Sequence, residues 1–132
     1  YLASALIDMK IHLADPTGMD VGTFEKETLD ELKMPKELPM RHRTPHFGHV
    51  FSGEGYATAY YGYMWADVLT ADAYEAFAQA PGGYYDKELS VKLVKYLFAP
   101  RNSIDPNEAF RLFRGRDANV NALLRARGFP TQ

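Results

Sequence analysis

The chain has 132 residues, of which 46% are apolar, so one domain with a sizeable core is within reach. A formal net charge of -2 lacks the concentrated basic surface of a nucleic-acid-binding protein, and no nucleic-acid partner is expected. The absence of cysteine excludes disulfides, thiolate metal sites and cysteine nucleophiles. No run is long and apolar enough to predict a membrane span. The compartment stays open, with the cytoplasm favoured over the periplasm.

Helical periodicity begins with the first residues of the chain. Apolar residues recur at helical spacing and predict a helix that ends before Asp15-Pro16: Leu2, Leu6, Met9 and Leu13. Asp8 and His12, four residues apart, are expected to form a hydrogen-bonded surface pair. A pattern that opens inside a helix without an initiating methionine suggests that the chain is cut from a longer protein.

A second helix is expected to begin near Thr23, whose hydroxyl could cap the first turn. The stretch from Pro35 to Pro45 contains three prolines and is expected to be an irregular connection. His42, between two arginines of this stretch, is expected on the solvated surface.

Three more helical regions and a long one follow. The proline-free run from Tyr56 to Ala78 predicts one long helix, which Pro81-Gly82-Gly83 ends. Residues 84–98 are again helical in pattern. Asp105 followed by Pro106 is a helix start signal. A last helix is expected over 117–127, with Gly128 as its stop. The whole sequence therefore predicts an all-α chain.

The long run has two aromatic faces on a helical wheel. Tyr56, Tyr60 and Tyr63 fall on one face. The opposite face is almost wholly apolar and is expected to face the core: Tyr61, Trp65, Val68 and Leu69. The tyrosine face has two interpretations. Its hydroxyls could bind a peptide and stabilise a developing oxyanion, or the rings could simply pack with their hydroxyls at the solvent edge. The residues alone leave both open.

Two charged or metal-ligating clusters are weaker candidates. His42, His46 and His49 have helical metal-ligand spacing, but Pro45 and Gly48 disfavour a helix and no acidic residue completes the set, so no metal site is expected. Another cluster either grips a carboxylate or covers a helix end: Arg111, Arg114 and Arg116.

Three stretches together resemble the thimet oligopeptidase and peptidyl-dipeptidase family of zinc peptidases. Residues 47–77 read FGHVFSGEGYATAYYGYMWADVLTADAYEAF and resemble the segment after that family's metal site. Near the start, ALIDMKIH resembles a family helix. The ending RLFRGRDANVNALLRARGF resembles the family's closing pattern, except that Ala118 stands where the pattern has proline. The resemblance covers nearly the whole chain, and Phe51 favours the bacterial peptidyl-dipeptidase branch.

The resemblance implies an almost wholly helical fold in which residues 1–132 form a single helical region, the C-terminal part of a larger zincin-type peptidase domain. The family holds zinc with an H-E-x-x-H helix and a later glutamate, and this sequence contains no H-E-x-x-H. That helix is therefore expected upstream. The chain alone is expected to bind no zinc and to be inactive, with the rest of the peptidase and oligopeptide substrates as its partners.

The resemblance also implies roles for particular residues. Tyr63 matches the tyrosine that donates to the oxyanion, and His49 matches a histidine that contacts bound peptide. Tyr56 and Tyr60 match substrate-facing tyrosines, and a loop containing Gly53 and Gly55 would close over the substrate. FSGEGY is one residue longer than the family spacing, which weakens the match of Tyr56. The alternative is a non-catalytic helical module that binds peptides or is purely structural. Substrate length and the choice between endopeptidase and dipeptidyl-carboxypeptidase action stay open.

Overall fold

The computed structural model describes residues 1–131, and within that range the regular structure is helical, without strands. The predicted all-α class is confirmed. Seven α-helices are accompanied by a π-helical turn at Val94–Phe98 and 3-10 turns at Thr44–His46, Glu54–Tyr56 and Gly83–Tyr85. The α-helices are α1 (Leu2–Leu13), α2 (Val21–Glu31), α3 (Gly48–Phe51), α4 (Gly62–Gln79), α5 (Lys87–Leu93), α6 (Pro106–Arg114) and α7 (Val120–Ala126).

These helices fall into two compact units, one comprising residues 1–64 and the other beginning at Trp65. The boundary lies near the start of α4. Among the described helices, none has the combination of length and apolar character needed to cross a bilayer.

The first unit is built around one apolar cluster. Ile7 of α1, Phe47 and Val50 are almost completely buried, and Tyr60 is 9% exposed beside them. A second anchor is the buried carboxylate of Glu25 on α2, which accepts hydrogen bonds from the backbone N–H and hydroxyl of Thr44 and is paired with Arg43. Burial acts to raise the pKa of Glu25, but these hydrogen bonds hold the pKa below its ordinary value. The irregular stretch before Thr44 is thereby tied to α2.

The second unit has an ionic centre beside its apolar core. Phe110 and Phe113 of α6 are buried with their ring centroids 6.3 Å apart. Asp72 of α4 is completely buried, and both of its oxygens are bonded to Arg116 and to one further group each. Those groups are Arg114 Nε at 2.8 Å from Oδ1 and the backbone N–H of Asn119 at 2.8 Å from Oδ2. Burial acts to raise the pKa of Asp72, but its donors hold the pKa below the ordinary value.

Several predicted helix ends are confirmed. α1 has the predicted bounds, α4 ends before Pro81, and the carboxylate of Asp105 caps α6 through the N–H groups of Asn107 and Glu108. The stop at Gly128 is also confirmed, since its φ of +76° lies in the left-handed region that glycine tolerates best.

Other predicted helix starts are wrong because a residue outside the predicted helix provides the cap. Helix α2 begins at Val21 because the Asp20 carboxylate accepts from the Thr23 N–H, so Thr23 is inside the helix and does not cap it. Helix α7 begins after Asn119, which caps it, rather than at Asp117. The region predicted to start at residue 84 begins its α-helix only after the Asp86 cap.

The predicted core face of the long helix is confirmed only in part. Val68 of that face is buried at 4% exposure, whereas Trp65 is 48% and Tyr61 53% exposed. The buried line of α4 follows the i, i+4 positions Val68, Asp72 and Ala76. The pairing of Asp72 with two arginines allows that acidic residue into the core, which a wheel based on hydrophobicity does not foresee.

Candidate functional site

His49 is surrounded by three tyrosine rings in the first unit. Its ring centroid lies 5.0 Å from that of Tyr56, 5.5 Å from Tyr60 and 5.8 Å from Tyr63. Tyr60 and Tyr63 also contact each other at 5.3 Å in an edge-to-face arrangement. We call these four residues the His49 cluster. The structure therefore brings together the histidine and the three tyrosines that the sequence singled out.

The polar atoms of the cluster are accessible. The Tyr63 hydroxyl lies 3.4 Å from His49 Nε2, which is long for a hydrogen bond, and the direction of the bond depends on the imidazole tautomer. His49 is exposed, Tyr63 is 48% exposed and Tyr56 is 62% exposed. A hydroxyl that is only loosely engaged by its neighbour and open to solvent is free to donate to the oxygen of a ligand.

Tyr60 occupies the buried side of the cluster. It is 9% exposed and packs edge-on against Phe47 and His42, with ring centroids 5.0 and 5.7 Å away. His42 itself is half-buried and stacks on Phe47 at 4.8 Å, so its predicted place on the solvated surface is wrong. Burial, reinforced by the charge of Arg41, lowers the pKa of His42 and favours its neutral form. This apolar backing fixes one edge of the cluster.

The segment before α4 is not the helix that the sequence predicted. Thr58 has a φ of +62°, an unfavourable region for a β-branched residue, and α4 begins only at Gly62. The carboxylate of Asp8 on α1 accepts from the backbone N–H groups of Thr58 and Tyr60 in this segment, each at 3.0 Å. The tyrosines thus converge through a turn and not through a shared helix face.

Asp8 is the functional-site residue that sequence reasoning missed. It is completely buried, and the expected surface pair with His12 is wrong in that respect, although His12 Nδ1 does lie 3.0 Å from Asp8 Oδ1. The signal that points to it is an acidic residue directly between the apolar Ile7 and Met9, since such a residue needs partners if it is buried.

The glycines of the loop before Tyr56 are exposed and unconfined. A Cβ placed on Gly53 or Gly55 would meet no atom within 4 Å. Neither has a φ in the left-handed region. These two glycines therefore leave open space at the surface of the loop, and neither is needed to relieve backbone strain.

Metal-binding side chains do not converge within residues 1–131, where no group of three or more histidine, aspartate or glutamate residues is placed to hold a metal ion. The described residues therefore do not fit a catalytic zinc. The arginine cluster is also accounted for internally: Arg114 and Arg116 bind the carboxylate of Asp72, and Arg111 binds Asp117.

Comparison with known proteins gives a consistent match over nearly the whole chain. The model of peptidase family M3 matches residues 2–129. The chain is 40% identical over 127 residues to oligopeptidase A of Salmonella typhimurium, covering 93% of this chain and 18% of that protein. It is 31% identical over 131 residues to dipeptidyl carboxypeptidase of Escherichia coli, covering 96% of this chain and 19% of that protein.

A plant relative gives a similar result, with 33% identity over 133 residues to probable cytosolic oligopeptidase A of Arabidopsis thaliana. That match covers 96% of this chain and 18% of the relative, so the chain spans about a fifth of the length of the proteins it matches. The higher identity to oligopeptidase A does not support the preference for the peptidyl-dipeptidase branch that Phe51 suggested.

Proposed function

The chain belongs to peptidase family M3, and from this premise we propose that it forms part of a longer zinc-dependent oligopeptidase or peptidyl-dipeptidase. By the resemblance of its sequence, this is the C-terminal part of the catalytic domain. Its contribution would be one wall of the peptide-binding cleft. The metal ligands would belong to other parts of the longer protein, because the described residues do not fit a zinc ion. Residues 1–132 alone are expected to be inactive.

The observation that carries the proposal is the exposed His49–Tyr63 pair. Attack on a peptide carbonyl places negative charge on its oxygen, and a preorganised phenolic O–H aimed at that oxygen stabilises the transition state more than the ground state. The Tyr63 hydroxyl, 3.4 Å from His49 Nε2, is loosely engaged and half exposed, which suits it to this donation. Tyr63 and His49 are the proposed catalytic residues.

The rest of the cluster would bind and orient the peptide. Tyr56 presents an exposed ring on one side of His49, whereas Tyr60, which is mostly buried, would contact substrate only through its remaining exposed edge. A Cβ on Gly53 or Gly55 would meet no atom within 4 Å, so the surface of their loop is open to a bound peptide. These four residues are the proposed substrate-binding set.

The test is a pair of matched substitutions in the longer protein. Tyr63→Phe removes one hydroxyl from the cluster, and Tyr61→Phe removes a hydroxyl of similar exposure, 53% against 48%, that lies outside the cluster. With a fluorogenic short peptide, Tyr63→Phe should lower kcat roughly a hundred- to a thousand-fold with little change in KM. Tyr61→Phe should leave both constants near those of the unchanged protein. Equal losses in the two variants would refute the assignment.

The second candidate function is peptide binding without hydrolysis. It is favoured by one observation, the presence of an exposed aromatic cluster in a chain whose described residues hold no metal-binding group. The same experiment separates the two functions. A longer protein that binds the fluorogenic peptide but never cleaves it, and whose affinity falls in Tyr63→Phe, would support the binding module.

A further inference from the structure

We infer that Asp8 is a positioning residue for the His49 cluster: its buried carboxylate holds residues 57–61 in the turn that sets Tyr60 and Tyr63 beside His49. The inference rests on the proposed function and deepens it, because it explains how the phenol of Tyr63 is held ready for substrate. Asp8 itself would touch neither the peptide nor the reacting atoms.

The two oxygens of Asp8 bind two alternate backbone N–H groups of the turn. Oδ1 accepts from Thr58 and Oδ2 accepts from Tyr60, both at 3.0 Å. Thr58 has a φ of +62°, which a β-branched residue adopts only where its surroundings impose it. The Ala59 N–H between these two donors bonds to the Tyr56 carbonyl at 3.1 Å. The carboxylate thus replaces the helical hydrogen bonds that the sequence of this segment would otherwise favour.

His12 extends the support from the turn to the segment that carries His49. Its Nδ1 lies 3.0 Å from Asp8 Oδ1 and 2.8 Å from the Asp8 carbonyl oxygen. Its ring stacks on that of Phe51 with centroids 5.2 Å apart and an interplanar angle of 27°. Phe51 is the last residue of α3, and His49 lies on the same short helix. Asp8 and His12 of α1 therefore contact both the turn that carries Tyr60 and the short helix that carries His49.

The geometry requires a carboxylate and not merely a polar side chain of the same size. Both Asp8 oxygens face N–H donors, so an asparagine could satisfy one of them only by turning its own NH2 group towards the other. Asp8 is completely buried, and water has no access to relieve that clash. Asp8→Asn is thus a nearly isosteric change that breaks one of the two anchors.

The experiment is a double-mutant cycle in the longer protein, with peptide hydrolysis measured for the unchanged protein, Asp8→Asn, Tyr63→Phe and the double variant. Tyr63→Phe should lose about a hundredfold in kcat/KM. Asp8→Asn should lose about tenfold, mainly in kcat, and the double variant should fall within about twofold of Tyr63→Phe alone. The inference would be overturned if the loss of kcat/KM in the double variant equalled the product of the two single losses. It would also be overturned if Asp8→Asn lost no activity.

Two controls separate positioning from general damage. Asp72→Asn removes a fully buried carboxylate of the same kind from the other unit, and it should lower the Tm without lowering kcat per folded molecule. Hydrogen–deuterium exchange of the longer protein should be faster over residues 57–61 in Asp8→Asn and unchanged over α6. If Tyr63→Phe has no effect on hydrolysis, the proposed function fails, and the exchange result alone decides the inference: unchanged exchange over 57–61 overturns it.

His12→Leu serves if Asp8→Asn does not accumulate as folded protein. It removes the imidazole from Asp8 but keeps an apolar side chain against Phe51. A loss of about threefold in kcat/KM, absent in the Tyr63→Phe background, is the expected result. A loss of the same size in both backgrounds would show that His12 acts independently of Tyr63, and it would contradict the inference.

Discussion

Removing the charge of Asp72 tests whether the ionic centre stabilises the second unit. Breaking a buried ion pair by changing one partner costs about 3–5 kcal/mol. In Asp72→Asn the cost should lie near the lower end, because the Arg116 side chain is 42% exposed and its freed guanidinium can be hydrated. Asparagine also keeps one acceptor oxygen. We therefore expect the free energy of unfolding to fall by about 3 kcal/mol.

Asp67→Asn is the matched control on the same helix. Asp67 is 46% exposed and binds Arg127, itself 41% exposed, through one hydrogen bond of 2.8 Å. Exposed pairs of this kind contribute about 0–1 kcal/mol. The two substitutions change the same chemical group. A difference between their effects on the free energy of unfolding therefore reflects the burial of Asp72 and the number of donors around it.

Urea unfolding of the 132-residue chain, followed by the fluorescence of Trp65, measures both variants. Trp65 is the single tryptophan and belongs to the same unit as Asp72. With a slope of about 2 kcal/mol per molar urea, a loss of 3 kcal/mol lowers the midpoint by about 1.5 M. Asp67→Asn should stay within about 0.5 M of the unchanged chain. Equal midpoints for the two variants would refute the reasoning.

The same comparison has a defined pH dependence. The pKa of Asp72 in the folded chain lies below its ordinary value of 3.8, so the stabilisation is fully present above pH 4 and is lost as the pH falls through the folded pKa. The difference in the free energy of unfolding between Asp72→Asn and the unchanged chain should therefore be constant around neutral pH, and it should become smaller only in strong acid.

Two further predictions concern the first unit. Thr58→Gly should raise the free energy of unfolding by up to about 1 kcal/mol, because glycine tolerates the φ of +62°. Ala57→Gly, at an ordinary φ of -58°, should lower the free energy of unfolding by about 0.5–1 kcal/mol. Equal changes for the two variants in urea titrations would contradict this reasoning. The folded chain should also lose stability between pH 7 and pH 5. The pKa of His42 is lowered below 6.5 by burial and by Arg41, so the unfolded chain takes up a proton first. The unfolding midpoint, followed by circular dichroism, should fall less in His42→Phe than in the unchanged chain over that pH range. An equal fall in both proteins would rule out His42 as the cause.

The parts of the fold that were predicted correctly depend on nearby residues. The bounds of α1 could be predicted from its periodicity and from Asp15-Pro16, and the start of α6 from the Asp105 cap. These signals act through hydrogen bonds that join residues at most four apart in the chain. The start of α4 was wrong for the opposite reason. Its alanine- and tyrosine-rich sequence suits a helix, whereas the Thr58 N–H donates to the carboxylate of Asp8, fifty residues earlier in the chain.

The proximity of four predicted residues was correct, although the helix from which it was argued was not, and their roles stay a prediction. The wheel grouped Tyr56, Tyr60 and Tyr63 on a helix face that does not exist, and they nevertheless meet around His49 through a turn. The resemblance to the family pointed to the same four residues without using any backbone conformation. The burial of Asp8 was not predicted, because an acidic residue on a helix is expected at the surface until its hydrogen-bond partners are known.

The sequence separation of the buried carboxylates also sets the order in which the chain can acquire its structure. Asp8 binds N–H groups 50 and 52 positions later, and Asp72 binds groups 42 to 47 positions later. Closing a loop of about 50 residues costs about 3.5 kcal/mol in chain entropy, and burying either carboxylate before its donors arrive would be costlier still. During synthesis, α1 would therefore remain hydrated on one face until residue 60 has emerged. Each unit should then fold in one late cooperative step rather than helix by helix.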